Sequence, residues 1–94
     1  MATATSTRRT IHYAGRVQGV GFRYTVRNIA LQFNVLGYVR NLPDGKVELV
    51  VEGPDSEIDQ ILQCIRERMS GFIKSESNQS SPATGEYPHF TIRH

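Results

Sequence analysis

The sequence lacks the features that mark several large classes of protein. It contains a single cysteine, Cys64, so the chain cannot close an internal disulfide, which fits a reducing compartment such as the cytoplasm. No apolar run approaches the length of a membrane span, and the first ten residues hold no hydrophobic segment of the kind that a signal peptide needs. We therefore expect neither a membrane protein nor a secreted protein held together by disulfides.

Side chains that bind metals or act as nucleophiles are few and scattered. The histidines are His12, His89 and His94. None has a paired spacing with cysteine or with carboxylates, so we expect no metal and no other cofactor. No histidine or acidic residue stands beside Cys64, which we interpret as a structural residue. The acids around the predicted central hairpin fall on a turn and on outward positions, where charges are normally solvated: Asp44, Glu48 and Glu52.

Acidic residues are also absent from the first 43 positions, which contain six arginines. Residues 44–94 contain nine acids and five bases, so the formal net charge of +2 divides into +6 and −4. The positive half would attract a small anionic substrate. A nucleic-acid surface would need clustered bases, and only Arg8 and Arg9 are adjacent, so we expect no nucleic-acid partner.

Ninety-four residues are enough for one domain with one core. We expect residues 1–8 to form a disordered tail, because small polar residues bury too little surface, and residues 9–94 to form the domain. Apolar periodicity predicts strands over residues 9–15, 35–41, 46–52 and 89–93, a possible further strand over 72–77, and helices that begin at Phe22 and after Gly53. This order predicts an α+β, ferredoxin-like two-layer sandwich with two helices on one face of an antiparallel sheet of four to five strands.

The segment GRVQGVGFR, residues 15–23, places three glycines directly before the first predicted helix. Glycines allow consecutive amides to turn toward one point, and a helix start adds free N–H groups and partial positive charge. Arg23 lies at this junction and can bind two oxygens of a phosphate at once. The pattern predicts an anion site, although the loop by itself is also compatible with an ordinary strand-to-helix turn.

Two segments together resemble the signatures of the acylphosphatases. The first is the loop of residues 15–23, and the second is GYVRN, residues 37–41, followed by Gly45, Val47 and Gly53. The resemblance extends from about Arg9 to the end of the sequence. It implies the ferredoxin-like fold and hydrolysis of the mixed anhydride between a carboxylate and a phosphate.

The resemblance also implies a role for particular residues. Arg23 matches the arginine that binds phosphate, and Asn41 matches the asparagine that positions the attacking water. Backbone amides of the loop would bind the remaining phosphoryl oxygens: Val17, Gln18, Gly19, Val20, Gly21 and Phe22. One departure is Tyr13, which stands where the family usually has an aliphatic residue. Because it belongs to strand packing, it bears on the core and not on the chemistry.

Other functions are compatible with parts of this pattern. Acylphosphatase-like domains can be phosphate-binding or regulatory parts of larger enzymes, but the presence of both Arg23 and Asn41, with no further domain attached, favours a free-standing, monomeric enzyme. Without the second signature, Asn41 would be interpreted as a turn residue at a strand end. An RNA-binding module of the same layout would need aromatic residues on its central strands, and residues 47–51 offer none.

Overall fold

Two helices pack on one face of a five-stranded sheet in the computed structural model, which describes residues 6–94. The elements, in chain order, are β1 (Ser6–Gly15), α1 (Phe22–Ala30), β2 (Leu36–Asn41), β3 (Val47–Pro54), α2 (Asp55–Arg68), β4 (Ile73–Pro82) and β5 (Phe90–Arg93). The α+β, ferredoxin-like sandwich predicted from the sequence is confirmed. No helix within residues 6–94 is long and apolar enough to cross a membrane.

The strands are ordered β4-β1-β3-β2-β5, and one pair departs from the expected antiparallel arrangement. β5 runs parallel to β2, with Phe90 opposite Gly37 and Arg93 opposite Arg40. The other pairs are antiparallel. β4 and β5 lie at opposite edges, so residues 83–89, which we call the strap, must cross the sheet between them. The strap stays at the end of the sheet where β2 begins, so β5 leaves that end in the same direction as β2.

The core lies between the sheet and the helices, and its members follow from the alternation of each strand. Ile11 and Tyr13 on β1 are fully buried, and so are the predicted inward residues of β3, which are Val47, Leu49 and Val51. The apolar stripe of α2 is buried as predicted: Ile58, Ile61, Leu62, Ile65 and Met69. Cys64 is half-buried and packs against this core, in keeping with a structural residue.

The first helix is shorter than its apolar stripe. Phe22, Val26, Ile29 and Ala30 are buried as predicted, but α1 ends at Ala30. Phe33 therefore lies beyond the helix, where it is half-buried against the core. The amide of Phe33 donates to the carbonyl of Ala30, 3.0 Å away, so the chain turns here and still brings this ring inward.

Two polar segments, the start of β1 and the end of β4, form longer strands than the sequence predicted. β1 begins at Ser6, so residues 6–8 of the expected tail are paired with β3, and residues 1–5 lie outside the described residues. β4 extends from Ile73 to Pro82, five residues beyond the strand predicted over 72–77. It is an edge strand with mostly exposed side chains, so the backbone ladder with β1 holds it without an alternation of apolar residues.

Glu52 corrects the expectation that the acids of the hairpin are solvated. It points away from the helices, yet only 4% of its side chain is exposed, because the strap covers it. Its carboxylate accepts hydrogen bonds from the Thr84 amide, the Thr84 hydroxyl, the Gly85 amide and Arg8. Burial alone would raise the pKa of Glu52, but these donors outweigh it and lower the pKa to about 2.

Glu48 forms a second polar cluster on the same outer face. Its carboxylate lies 2.9 Å from His12 Nε2 and accepts hydrogen bonds from the Tyr38 hydroxyl at 3.0 Å and from Arg40 Nε at 2.8 Å. Tyr38 is 8% exposed, and the Arg93 guanidinium covers its ring at 3.9 Å from the centroid. An aromatic residue thus lies on a central strand after all, but it is not open to stack on an RNA base.

Candidate active site

The loop, Asn41 and the end of β5 meet at one end of the sheet. β1, β2 and β5 all finish there, and β3 begins there. Val47 is opposite both Tyr13 and Asn41, and Arg93 is opposite Arg40, the neighbour of Asn41. The topology therefore brings together residues that are up to about 75 positions apart in the sequence.

Residues 16–21 form an open loop whose backbone donors are unused. Within residues 6–94, the amides of Val17 to Phe22 donate no hydrogen bond. Gly19 and Gly21 have φ angles of 78° and 75°, and a Cβ added to either would meet no atom within 4 Å. The loop is fixed by Val17, which is 1% exposed, and by the Arg16 amide, which donates to Phe72 O at 2.9 Å. The loop therefore has amides without partners among the described residues and open space beside its glycines, and an anion site requires both.

The start of α1 adds to the same site. Gly21 is the N-cap in a left-handed conformation, no side chain caps the helix, and its first turn contains no acid. The Gly21 carbonyl accepts from both the amide and the hydroxyl of Thr25. The first amides of α1 thus remain without a capping side chain, and the positive end of the helix dipole is not neutralised by a carboxylate.

Arg23 lies in the first turn of α1 and is half-buried. Its Nη1 is 3.5 Å from the Arg93 carbonyl oxygen and 3.3 Å from His94 Nδ1. The end of β5 therefore holds the guanidinium at the end of the sheet where Asn41 lies. Sequence reasoning missed this contact, because it depends on the parallel placement of β5, for which the sequence contains no local signal.

Asn41 is the last residue of β2 and is half-buried. Its side-chain Oδ1 is buried and has no hydrogen-bond partner among the described residues. A buried polar atom is nearly always paired, so an exception calls for an explanation. The oxygen has no accessible surface here, so the amide has to turn outward before Oδ1 can accept a hydrogen bond from a water or a substrate.

The side chain of Gln18 has a position that the sequence did not reveal. The sequence predicted a role for its backbone amide only, and its side-chain Nε2 donates to Leu42 O at 2.8 Å and to Lys46 O at 2.9 Å. These carbonyls belong to the turn between β2 and β3. The side chain therefore points at the hairpin, and only the backbone amide of Gln18 is left for an anion.

The arginines of the first half of the chain that form no ion pair among the described residues lie close to the loop. Three of the six arginines form ion pairs. Arg8 pairs with Glu52 and Glu86, Arg9 pairs with Asp55 and Asp59, and Arg40 pairs with Glu48. The other three arginines form no ion pair within residues 6–94, and all of them flank the loop or lie on α1: Arg16, Arg23 and Arg27. Among these six arginines, the uncompensated charge thus lies beside the loop and on α1, where it would attract an anion.

Comparison with known proteins identifies the family to which this two-layer fold belongs. A family model described as acylphosphatase matches residues 9–92. An acylphosphatase of Acidothermus cellulolyticus is 42% identical over 88 residues, which are 89% of this chain and 84% of that protein. An acylphosphatase of Paenarthrobacter aurescens is 42% identical over 86 residues, covering 90% and 92%. The chain belongs to the acylphosphatase family, a family of hydrolases.

Solved structures agree with the family and show two settings of the fold. The crystal structure of acylphosphatase from Bacillus subtilis superposes with a TM-score of 0.83 at 29% identity, covering 94% of this chain and 99% of that one. The crystal structure of T. kodakarensis HypF has a TM-score of 0.81 at 32% identity, but the match covers only 12% of that chain. The same fold is thus found both alone and within a much longer protein.

Proposed function

We propose that this chain hydrolyses acyl phosphates to a carboxylate and inorganic phosphate, without a metal, and that Arg23 and Asn41 are its catalytic residues. One observation carries the assignment of the site. Unused loop amides, an arginine without an ion pair and a buried, unpartnered amide oxygen converge at one end of the sheet. A phosphoryl group needs the first two, and an attacking water needs the third.

The phosphate would be bound by the loop and by Arg23. The amides of Val17 to Phe22 donate to phosphoryl oxygens, while the guanidinium of Arg23 binds two of them through its parallel N–H groups. Contact with the Arg93 carbonyl occupies part of that guanidinium and sets its orientation. The charges on the phosphate are thus neutralised before the reaction begins, which costs no rearrangement at the moment of bond breaking.

Asn41 would place the water in line with the bond that breaks. Its Oδ1 accepts a hydrogen bond from the water, whose oxygen lone pair is then directed at phosphorus. An amide has no useful basicity, so Asn41 does not remove the proton. In a loose transition state the water is hardly bonded to phosphorus, and its proton passes later to a phosphoryl oxygen. The water oxygen forms the new P–O bond as the old one breaks, and the carboxylate leaves with its electron pair.

The comparisons favour this reading over a phosphate-binding module without activity. The named relatives are acylphosphatases that the chain covers almost completely, whereas HypF is matched over a small fraction of its length. We further propose that the protein acts as a monomer in the cytoplasm, in keeping with its one free thiol, and that it accepts several acyl groups, since the loop leaves its outer side open.

Phosphate release from acetyl phosphate tests the activity. We expect release that continues in excess chelator, because no group of three or more histidine, cysteine, aspartate or glutamate side chains within residues 6–94 could hold a metal ion. A phosphate monoester, whose alkoxide is a far poorer leaving group than a carboxylate, should be hydrolysed slowly or not at all. Loss of activity in chelator with recovery on addition of one metal would refute the metal-free site, and an inactive protein would refute the proposed function.

A further inference from the structure

The side chain of Gln18 links the two halves of the site. Its Nε2 donates to Leu42 O and Lys46 O, at 2.8 Å and 2.9 Å, across 24 and 28 residues of sequence. We propose that Gln18 is a positioning residue that fixes the distance between the phosphate-binding amides and the water held by Asn41. The inference rests on the proposed function, because it assigns a further residue to the same reaction.

The two carbonyls belong to the turn that directly follows Asn41. Leu42 is the next residue, and the Leu42 amide donates to Lys46 O at 2.8 Å, while the Gly45 amide donates to Leu42 O at 3.2 Å. Each carbonyl therefore accepts one hydrogen bond from within the turn and a second one from Gln18. Removing the side-chain amide of Gln18 leaves the turn with its own hydrogen bonds. It breaks only the link between the turn and the loop.

That link is the only hydrogen-bonded one between loop and turn in the described part of the chain. The other hydrogen bonds of the loop are at its two ends, from Arg16 to Phe72 O and from Thr25 to Gly21 O. Val17 and Val20 pack against the core and hold the loop between them. Between these ends lies Gly19, a residue that resists bending little. Core packing fixes the loop against the sheet, and Gln18, next to the flexible Gly19, ties its middle amides to the turn that follows Asn41.

The residue type fits the task. A glutamine amide has two N–H donors on one nitrogen, and each finds a carbonyl here. A glutamate of the same shape would present only acceptors to two carbonyl oxygens. Methionine has a stem of similar length and no donor, so it can fill the space of Gln18 without making the link.

The effect of losing the link follows from the geometry of in-line attack. A misplacement of about 1 Å between reacting groups lowers a rate by about a hundredfold. Phosphate alone does not report that distance, because it is bound by the amides and by Arg23 and not by Asn41. The turnover number should therefore fall while phosphate affinity and KM change little, and a residue that only stabilised the fold would not produce this difference.

Gln18→Met and Gln18→Glu test the proposal with acetyl phosphate as substrate and inorganic phosphate as inhibitor. We expect Gln18→Met to lower kcat about tenfold to a hundredfold, with KM and the phosphate inhibition constant within about threefold of the parent. Gln18→Glu should be slower still. The control is Gln63→Met on α2. The Gln63 side chain donates to Glu67 at 3.1 Å, far from the loop, and this variant should keep the kcat of the parent.

A double variant tests whether Gln18 acts through Asn41 or independently of it. In an Asn41→Ala background, Gln18→Met should lower kcat by no more than about twofold, because the positioned water is already lost. The inference would be overturned if the kcat losses of the two substitutions multiplied in the double variant, or if Gln18→Met kept the kcat of the parent. The proposed function would still stand as long as the parent hydrolyses acetyl phosphate. An inactive parent would overturn both.

Discussion

Glu52 on β3 accepts a hydrogen bond from the backbone amide of Thr84, 32 residues later, at 3.0 Å. Thr84 and Gly85 belong to the strap, which connects β4 and β5 at opposite edges of the sheet. Glu52 lies on the central strand, so it holds the strap where the strap crosses the middle of the sheet. Arg8 on β1 donates to the same carboxylate at 2.8 Å, and β1, β3 and the strap are thereby joined at one buried charge.

Glu52 should make the stability of the protein depend on pH in the acid range. Its folded-state pKa of about 2 lies below the ordinary value of 4.5, so its contribution is fully present above pH 4.5 and is lost as the pH falls toward 2. The lowered pKa corresponds to at most about 3 kcal/mol. Urea unfolding at a series of pH values should show this loss for the parent, and Glu52→Gln should be less stable at neutral pH and less sensitive to acid.

Glu67→Gln is the matched control for that series. Glu67 is an exposed carboxylate on α2 whose recorded partner is Gln63. Its substitution should leave the acid dependence of the parent unchanged. Equal acid dependence in the parent and in Glu52→Gln would show that the strap is not held by the charge of Glu52.

Tyr13 and Tyr38 are both buried, and replacing each with phenylalanine should change the stability of the protein in opposite directions. The hydroxyl of Tyr13 is buried without a partner among residues 6–94, whereas that of Tyr38 donates to Glu48 at 3.0 Å. An unpaired buried hydroxyl costs about 1 kcal/mol or more, so Tyr13→Phe should raise the free energy of unfolding. Tyr38→Phe should lower it by about 1 kcal/mol. A destabilised Tyr13→Phe protein, measured by urea unfolding, would show that this hydroxyl has a partner in solution.

The sequence predicted the fold well where the apolar pattern is strong and poorly where backbone pairing decides. β3 and α2 bury the residues that their periodicities indicate, because one face of each meets the core. β4 was predicted too short, since an edge strand needs no apolar face. The burial of Glu52 was missed because the strap that covers it comes from a segment without periodicity.

For the site, the two signatures named the loop, Arg23 and Asn41, but not the contacts that place them. Those contacts are made by Gln18, which donates to two backbone carbonyls, and by Arg93, whose own carbonyl lies 3.5 Å from the Arg23 guanidinium. A carbonyl is present at every residue, so its use as a partner leaves no trace in the sequence. The sequence therefore nominated the residues of the candidate site, and only the structure supplied the contacts that position them.

Gly19→Ala should weaken phosphate binding, because the added methyl group would occupy space that the phosphate needs. The added Cβ meets no protein atom, so it would project into the open space beside the loop, where a bound phosphate would lie if the loop is the anion site. Gly85 is the matched control, because its φ of 71° is close to the 78° of Gly19 and its Cβ would also meet nothing. Both variants bear a backbone strain of roughly 1 to 2 kcal/mol. We expect only Gly19→Ala to raise the inhibition constant of phosphate, and equal constants for the two would mean that the loop is not the anion site.

Arg23→Ala should lower both phosphate affinity and turnover, because it removes the charge that binds the phosphoryl group throughout the reaction. We expect a rise of about tenfold or more in the inhibition constant of phosphate. Arg23→Lys should recover only part of the loss, since a point charge does not reproduce two parallel N–H donors. Arg27→Ala is the control, because Arg27 lies one turn further along α1 and also forms no ion pair within residues 6–94. Similar losses for both arginines would indicate a general effect of charge.

Asn41→Ala should separate turnover from binding. It leaves the amides and Arg23 in place, so the inhibition constant of phosphate should stay within about threefold, while kcat should fall by about a hundredfold or more, the scale of one positioned transition-state hydrogen bond. Asn41→Asp should not help, because a carboxylate beside the phosphate adds repulsion that exceeds any gain in basicity when attack is loose. Asn28→Ala, at an exposed position of α1, serves as the control. A folded Asn41→Ala protein with near-normal kcat, or an Asn41→Asp protein faster than the parent, would show that another group orients and deprotonates the water.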